Sequence, residues 1–550
     1  MKKVQLLALS LFVITMLAFI SSLFLGGFKV SDETILHQIE RKGFKSELLK
    51  SNMLEEIAGI EFPNSFAATS AILSVYDRTN DKHKADAAED QKNEEWDKAN
   101  EDWALVACDK STNFAYDLMK PSGQGHVHDN KGLWLFLTFG LAIVAAMIFV
   151  LLNLKVLGSK GIKNTGIYFE SATNRGAIAW VTFVFLVLFY IGLYFFPSVV
   201  INWTYIVDPV KELFGGGGAS QWFLYGLLYC TAMIIMGVRM IVKYRHNNYQ
   251  IVRTISVVFF QLVFAFLLVE ILPMFGMPGV DLKNAWPLDY DFLFDWNVKN
   301  LLTYGHIGKF VFVWGIILSA VVIPVMVYFF GKRWYCSWVC GCGGLAETLG
   351  DPYRQHSDKS MKAWKFERYM IHAVLLFAVV MTVYTGYHTF NEIYREALPY
   401  AQKTKLFGIS SDEVRSCYGF MIGSIFSGVI GTGFYPIFGS RVWCRFGCPL
   451  AAYLGLVQKI KSRFRITTNG GQCISCGNCS TYCEMGIDVR AYAQQGKNIL
   501  RSSCVGCGVC AAVCPRGVLK LENAPDVNRV NENPILIGEK RIQLKKNVKN

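Results

Sequence analysis

Eight long apolar stretches punctuate the chain, near residues 4–28, 132–154, 177–197, 222–242, 254–274, 309–330, 369–390 and 417–438. A helix needs roughly 20 such residues to cross a bilayer. The pattern therefore predicts a mainly α-helical, polytopic membrane protein of about eight spans. The first stretch follows Lys2 and Lys3. Its apolar run is long and no small-residue cleavage site stands out, so residues 1–28 read as a retained anchor rather than a signal peptide.

The polar segments between the spans divide by charge. With the N-terminus in the cytoplasm, the inside loops 155–176, 239–253 and 331–368 are rich in Lys and Arg, whereas the outside loops near 198–221 and 275–308 hold only Lys211, Lys283 and Lys299. The loop at 391–416, with Arg395, Lys403, Lys405 and Arg415, is less clean. Such bias sets orientation, and an even number of spans returns the C-terminus to the cytoplasm. The expected home is the inner (cytoplasmic) membrane of a bacterium, with lipid around the spans. Residues 29–131 form the one sizeable outside segment, acidic and helical in pattern. Residues 132–465 would be a seven-helix membrane domain and 523–550 a basic C-terminal tail.

Composition agrees: 52% of residues are hydrophobic and 18% charged, with a mean hydropathy of +0.29. A soluble multidomain protein does not look like this. The 16 Cys matter more, because eight of them fall between Cys473 and Cys514. In a reducing compartment dense Cys points to metal rather than disulfides.

Two runs carry that chemistry, Cys473-x2-Cys476-x2-Cys479-x3-Cys483 and Cys504-x2-Cys507-x2-Cys510-x3-Cys514-Pro515. This is the bacterial ferredoxin spacing, in which the fourth Cys of each run serves the other cluster. Cys473, Cys476, Cys479 and Cys514 would hold one [4Fe–4S] cluster, and Cys504, Cys507, Cys510 and Cys483 the other. The Gly after Cys476 and after Cys507 lets the backbone turn without a Cβ penalty. Zinc also binds paired C-x2-C, but seldom three Cys at successive two-residue gaps, twice in tandem. Residues 466–522 are thus predicted as a small α+β ferredoxin-like module. Glu484 stands where Pro usually follows the fourth Cys.

A second pattern is an internal repeat. Phe330-Gly-Lys-Arg-Trp-Tyr-Cys336-Ser-Trp-Val-Cys340-Gly matches Phe438-Gly-Ser-Arg-Val-Trp-Cys444-Arg-Phe-Gly-Cys448-Pro449. On a helix each Cys pair is i, i+4 and shares one face, so four thiols would converge where the spans end. They would ligate a third Fe–S centre, form a redox-active thiol set, or simply pack; Cys342 is a further candidate ligand. Arg333, Arg441 and Arg445 read as membrane-surface anchors, and Trp334, Tyr335, Trp338 and Trp443 as an aromatic belt.

Over about residues 300–520 the chain resembles the membrane polyferredoxins of the NapH, NosR and CcoG kind, which combine several spans, two C-x3-C-P motifs and a C-terminal pair of ferredoxin-type motifs. Cys444 to Pro449 carry that motif in full; Gly341-Cys342 replaces the Pro in the first half. The resemblance implies a membrane-bound iron–sulfur protein passing electrons between a cytoplasmic or quinol donor and a membrane or periplasmic acceptor. Its partners would be redox proteins or the quinone pool. The rivals are an assembly factor reducing metal or thiols for a respiratory metalloenzyme, as the CcoG-like resemblance implies, and a redox sensor.

Other signals are thinner. His306 and His388 would sit toward the outer ends of two spans, where they are a candidate haem pair; ordinary interfacial histidines are the alternative. Glu270 is costly inside a bilayer and should face protein. No P-loop, dinucleotide fingerprint, nucleophilic triad or nucleic-acid signature is evident.

Overall fold

The computed structural model describes residues 2–542 apart from 43, 45, 93–110, 158–174, 396–404, 407–408, 470–471, 524–534 and 538–539. Seven described helices are long and apolar enough to cross a membrane: α1 (Lys2–Phe24), α2 (Lys131–Leu152), α3 (Ala177–Phe195), α4 (Gln221–Lys243), α5 (Asn248–Phe275), α6 (Gly305–Phe330) and α7 (Met361–Asn391). The eighth apolar stretch forms a shorter helix, α8 (Gly419–Gly433). Its five glycines and a wide π-type winding over Gly419–Ile430 limit its regular length, and Phe434 leaves the helix before Pro436.

The chain forms two compact units, Met1–Asn153 with Leu188–Leu228, and Leu154–Val187 with Tyr229–Asn550. The first holds α1 and α2, several short helices, and a three-stranded antiparallel sheet with Gly27–Lys29 between Glu61–Phe62 and Gly123–Gln124. Segment 29–131 is thus mainly helical over its described part, with that small sheet added. The first unit's buried Asp208 accepts bonds from Lys120 (3.1 Å), Lys131 (2.8 Å) and the Ala219 N–H (2.6 Å). Burial pushes the Lys120 ammonium down to about 8.

The second unit contains two segments that fold back among the helices. Segment 276–294, read from charge as an outside loop, runs between α6, α7 and α8. Trp314 of α6 donates to Leu282 O (2.8 Å), and the Trp286 N–H donates to Ser319 of α6 (3.1 Å). The Trp286 indole donates to Thr382 of α7 (2.5 Å), and Tyr418 to Pro287 O (3.1 Å). Irregular backbone survives between spans because these side chains satisfy its polar groups. The other segment, 331–350, enters from the opposite direction. Gln261 of α5 donates to Val339 O (2.5 Å) and Tyr229 of α4 to Gly341 O (2.9 Å). Both donors lie 13 or 14 residues from the 244–247 loop that joins α4 to α5, about 20 Å along the helices. The two segments meet where Tyr335 donates to Lys283 O (2.9 Å).

The Cys-rich module closes on an antiparallel pair, β1 (Phe464–Thr468) and β2 (Leu519–Asn523), in register from Phe464↔Asn523 to Thr468↔Leu519. One continuous core joins Trp286 and Phe292 of the inserted segment, Cys336, Cys340 and Cys448, and then Cys479, Cys504 and Cys510.

Candidate metal centres

Each ferredoxin-type run builds its turn in the same way. Gly477 and Gly508 take the left-handed conformation (φ +80° and +73°) and open the short helices Asn478–Thr481 and Val509–Ala512. Ser475 and Gly506, just before the second Cys of each run, are also at positive φ. At Gly508 a Cβ would lie 2.8 Å from the Tyr249 ring, so the close approach to α5 also requires glycine.

The turns bring the thiols together in the crossed sets. Cys473, Cys476, Cys479 and Cys514 line one cavity. Cys483, Cys504, Cys507 and Cys510 line a second. The donor chemistry suits iron–sulfur clusters: neither lining contains a His or Asp, the one carboxylate, Glu484 in the second, is paired with Arg354 and Arg441, and backbone N–H groups donate to the sulfurs of Cys479, Cys483 and Cys504. Burial raises the thiols of Cys507 and Cys510 well above their ordinary range.

The two cavities differ in exposure. Cys476 is exposed, and Ile474 beside it is 55% exposed, with Arg490 and Arg516 also in that lining. The second cavity lies against α5, where Tyr249 donates to Gly506 O (2.9 Å) and Gln250 to Cys507 O (2.8 Å). Tyr482, Val509 and Val513 pack on Met240 and Tyr244.

The structure brings the C-x3-C cysteines together, though not on continuous helices. Cys336 ends the helix Arg333–Cys336, and Cys340 is the N-cap of Gly341–Glu347. Cys444 lies in Val442–Phe446, and Cys448 caps Pro449–Lys461, its sulfur accepting from the Ala451 N–H (3.3 Å). The break has a local cause in the second half, since Pro449 steers Cys448 away from helical geometry. Cys340 adopts the same extended backbone without a proline. A Cβ at Gly341 would lie 2.9 Å from Gln261 Oε1, which explains the glycine there. Cys340 and Cys444 interact electrostatically with each other and with Cys336, Cys342 and Cys448. A hydrogen bond with Cys342 lowers the Cys340 thiol, and the same bond raises that of Cys342.

This group adjoins the second cavity by two routes. Ser337 donates to Val505 O (2.9 Å), which links Cys336 to Cys504 through one hydrogen bond. Arg441 contacts Cys444 Sγ (3.7 Å) and donates to Glu484 (3.0 Å), the residue after Cys483.

Arg441 and Glu484 belong to a buried ion network that the sequence does not reveal. Glu347 pairs with Arg253 (2.5 Å), Arg354 and Arg441 (2.7 Å). Glu484 pairs with Arg354 (2.8 Å) as well as Arg441, and Asp351 with Arg239 (2.6 Å), Lys243 (2.7 Å) and Arg354 (2.9 Å). Five cations thus face three carboxylates, and Cys507 lies beside Glu347 and Glu484. The membrane-surface reading of Arg441 and Arg445 is corrected: they are 1% and 4% exposed, and Arg445 pairs with Glu367 (2.6 Å). Tyr335 and Trp443 are likewise core residues rather than a belt. The available signal was acidic, namely Glu347 and Asp351 in a loop otherwise rich in Lys and Arg, and Glu484 in place of Pro.

The remaining candidates lie apart from this site. His306 is exposed, whereas His388 is buried beside Asp295, the partner of Arg415. Glu270 is half-buried in α5.

Comparison with known proteins agrees with this geometry. Residues 465–515 match the family model of a 4Fe-4S dicluster domain. Residues 312–360 and 418–467, which contain the two C-x3-C halves, match a 4Fe-4S binding domain. The chain is 23% identical over 181 residues to YccM of Escherichia coli (strain K12), a protein named for electron transport. That match covers 32% of this chain and 46% of the relative, so it spans less than half of that protein's length. No solved structure matches.

Proposed function

We propose that this chain, whose dicluster domain and apolar helices fit a membrane polyferredoxin, carries electrons one at a time between a redox protein at the exposed edge of its module and an acceptor or donor reached through the membrane helices. The observation that carries the reading is the order of the cysteine groups within one core. Exposed Cys476 comes first, the buried set around Cys507 next, and the C-x3-C group, flanked by the α4–α5 contacts of Val339 and Gly341, last. When bound, each [4Fe–4S] cluster supplies a one-electron couple. The residues of the chain do the rest. Tyr249, Gln250 and Gln458 fix the carbonyls around Cys504 and Cys507, and Ser337 shortens the step to Cys336. Cys336, Cys340, Cys444 and Cys448, with Cys342 able to replace one of them, would hold a third centre. We place the module on the cytoplasmic side of the inner membrane, following the Lys and Arg bias, with quinone as the membrane-side candidate.

The test is anaerobic stepwise reduction of the purified protein by a reduced ferredoxin, and separately by menaquinol, while the cluster spectra are followed. Reduction of every centre by at least one of the two is expected. Clusters that change oxidation state with neither would sink the reading.

A further inference from the structure

Arg441 bridges the C-x3-C cysteines and the buried ion network. Its guanidinium donates to the Cys336 carbonyl (3.1 Å) and contacts Cys444 Sγ (3.7 Å), so it touches both halves of the repeat. Its other nitrogens donate to Glu347 (2.7 Å) and Glu484 (3.0 Å). Only 1% of the residue is exposed. The surrounding backbone leaves room for it: a Cβ at Gly343 would lie 2.0 Å from Cys336 O and 3.2 Å from Arg441 Nη1. The residue at the equivalent repeat position makes none of these contacts, since Arg333 donates to Phe330 O (2.9 Å) and Asn523 (2.9 Å).

We infer that Arg441 is a positioning residue that locks the two C-x3-C halves into one site, sets the potential of the centre they would hold, and ties that centre to the cluster set of Cys483. The inference rests on the third centre proposed above. A planar guanidinium forks between partners in fixed geometry, and here it fixes a carbonyl of one half against a thiol of the other. A buried positive charge beside a ligating sulfur favours the more negative, reduced state of the centre, and hydrogen bonds to sulfur act in the same direction. Removing the charge should therefore lower the potential. Lys332, which also faces Cys336 and Cys444, limits the loss.

The test uses full-length protein in detergent, with iron content and potentiometric EPR as readouts. Arg441→Gln should either lose the third centre's iron or keep it with its midpoint shifted negative by at least a tenfold change in equilibrium constant, which is 59 mV for one electron. Arg441→Lys, which keeps the charge but not the fork, should shift it less, and Arg333→Gln should leave it in place. Wild-type iron and potential in Arg441→Gln would overturn the inference. Should Arg441→Gln fail to accumulate, Arg441→Lys decides: unchanged iron and an unchanged midpoint overturn it. If the wild type holds only the eight iron of the dicluster module, the third centre itself falls, a result distinct from an unresponsive third centre.

Discussion

The two halves of the C-x3-C repeat share Phe, Gly, Arg and both Cys, yet their arginines part company. Arg333 lies along the rim, 4.9 Å from the Phe464 ring, and bonds to Asn523. Arg441 turns inward to two carboxylates and a thiol. Inward placement in the first half falls instead to Lys332, which donates to Ser502 O (3.2 Å) and is 2% exposed. The caps differ too, with Gly341 wedged against Gln261 and Pro449 opening a helix. A shared motif thus fixes where the cysteines sit, while the residues between them determine what each half contacts.

The largest expected effect treats the halves as one site. Cys336→Ala and Cys444→Ala should each abolish the third centre, and the double variant should lose no more iron than either single, because one missing ligand already breaks it. Losses that simply add would mean two separate sites. Next comes the ion network behind the second half. Glu484→Gln removes one carboxylate from a buried set in which cations already outnumber acids, and breaking such a pair costs about 3–5 kcal/mol. A clear fall in melting temperature in detergent is expected, together with weakened signals from the cluster set of Cys483; unchanged melting would contradict the network's role.

Exchanging the caps should be smaller and asymmetric. Gly341→Pro would give the first half the same cap as the second, but it forces atoms against Gln261 and Tyr229, and overpacking costs about 1–3 kcal/mol. Pro449→Gly should cost about 1 kcal/mol or less, since Pro at the first helical position chiefly pre-organises the turn. Melting curves of the two variants decide whether the caps are interchangeable. Smallest of all is Arg333→Gln, which removes rim contacts and should change stability by no more than about 1 kcal/mol.

Much of this was legible in the chain. Seven membrane-length helices follow from apolar length, the eighth stretch forming only a shorter one, and the crossed cysteine sets follow from spacing and the glycines at 477 and 508. What stayed hidden depends on partners far away in sequence. Arg354 and Arg441 look like membrane-surface charges until Glu484, 130 and 43 residues away, is seen between them. Asp281, Lys283, Asp289 and Asp291 look like an ordinary outside loop, because nothing local says that Trp314, Ser319 and Tyr418 will satisfy that backbone between the spans. The i, i+4 spacing of the cysteines suggested one helix per pair. A helix broken at an extended Cys brings the same thiols together, and only Pro449 hinted at it.

The central claim is that three cysteine groups, rather than two, form the electron path. Iron and acid-labile sulfide counted on anaerobically purified wild-type protein, beside Cys444→Ala, test it most directly. About twelve iron per chain in the wild type, falling to about eight in the variant, is the expected result for three four-iron centres of which one is lost. About eight in both proteins would contradict it, leaving the C-x3-C cysteines as thiols or packing residues beside a two-cluster carrier.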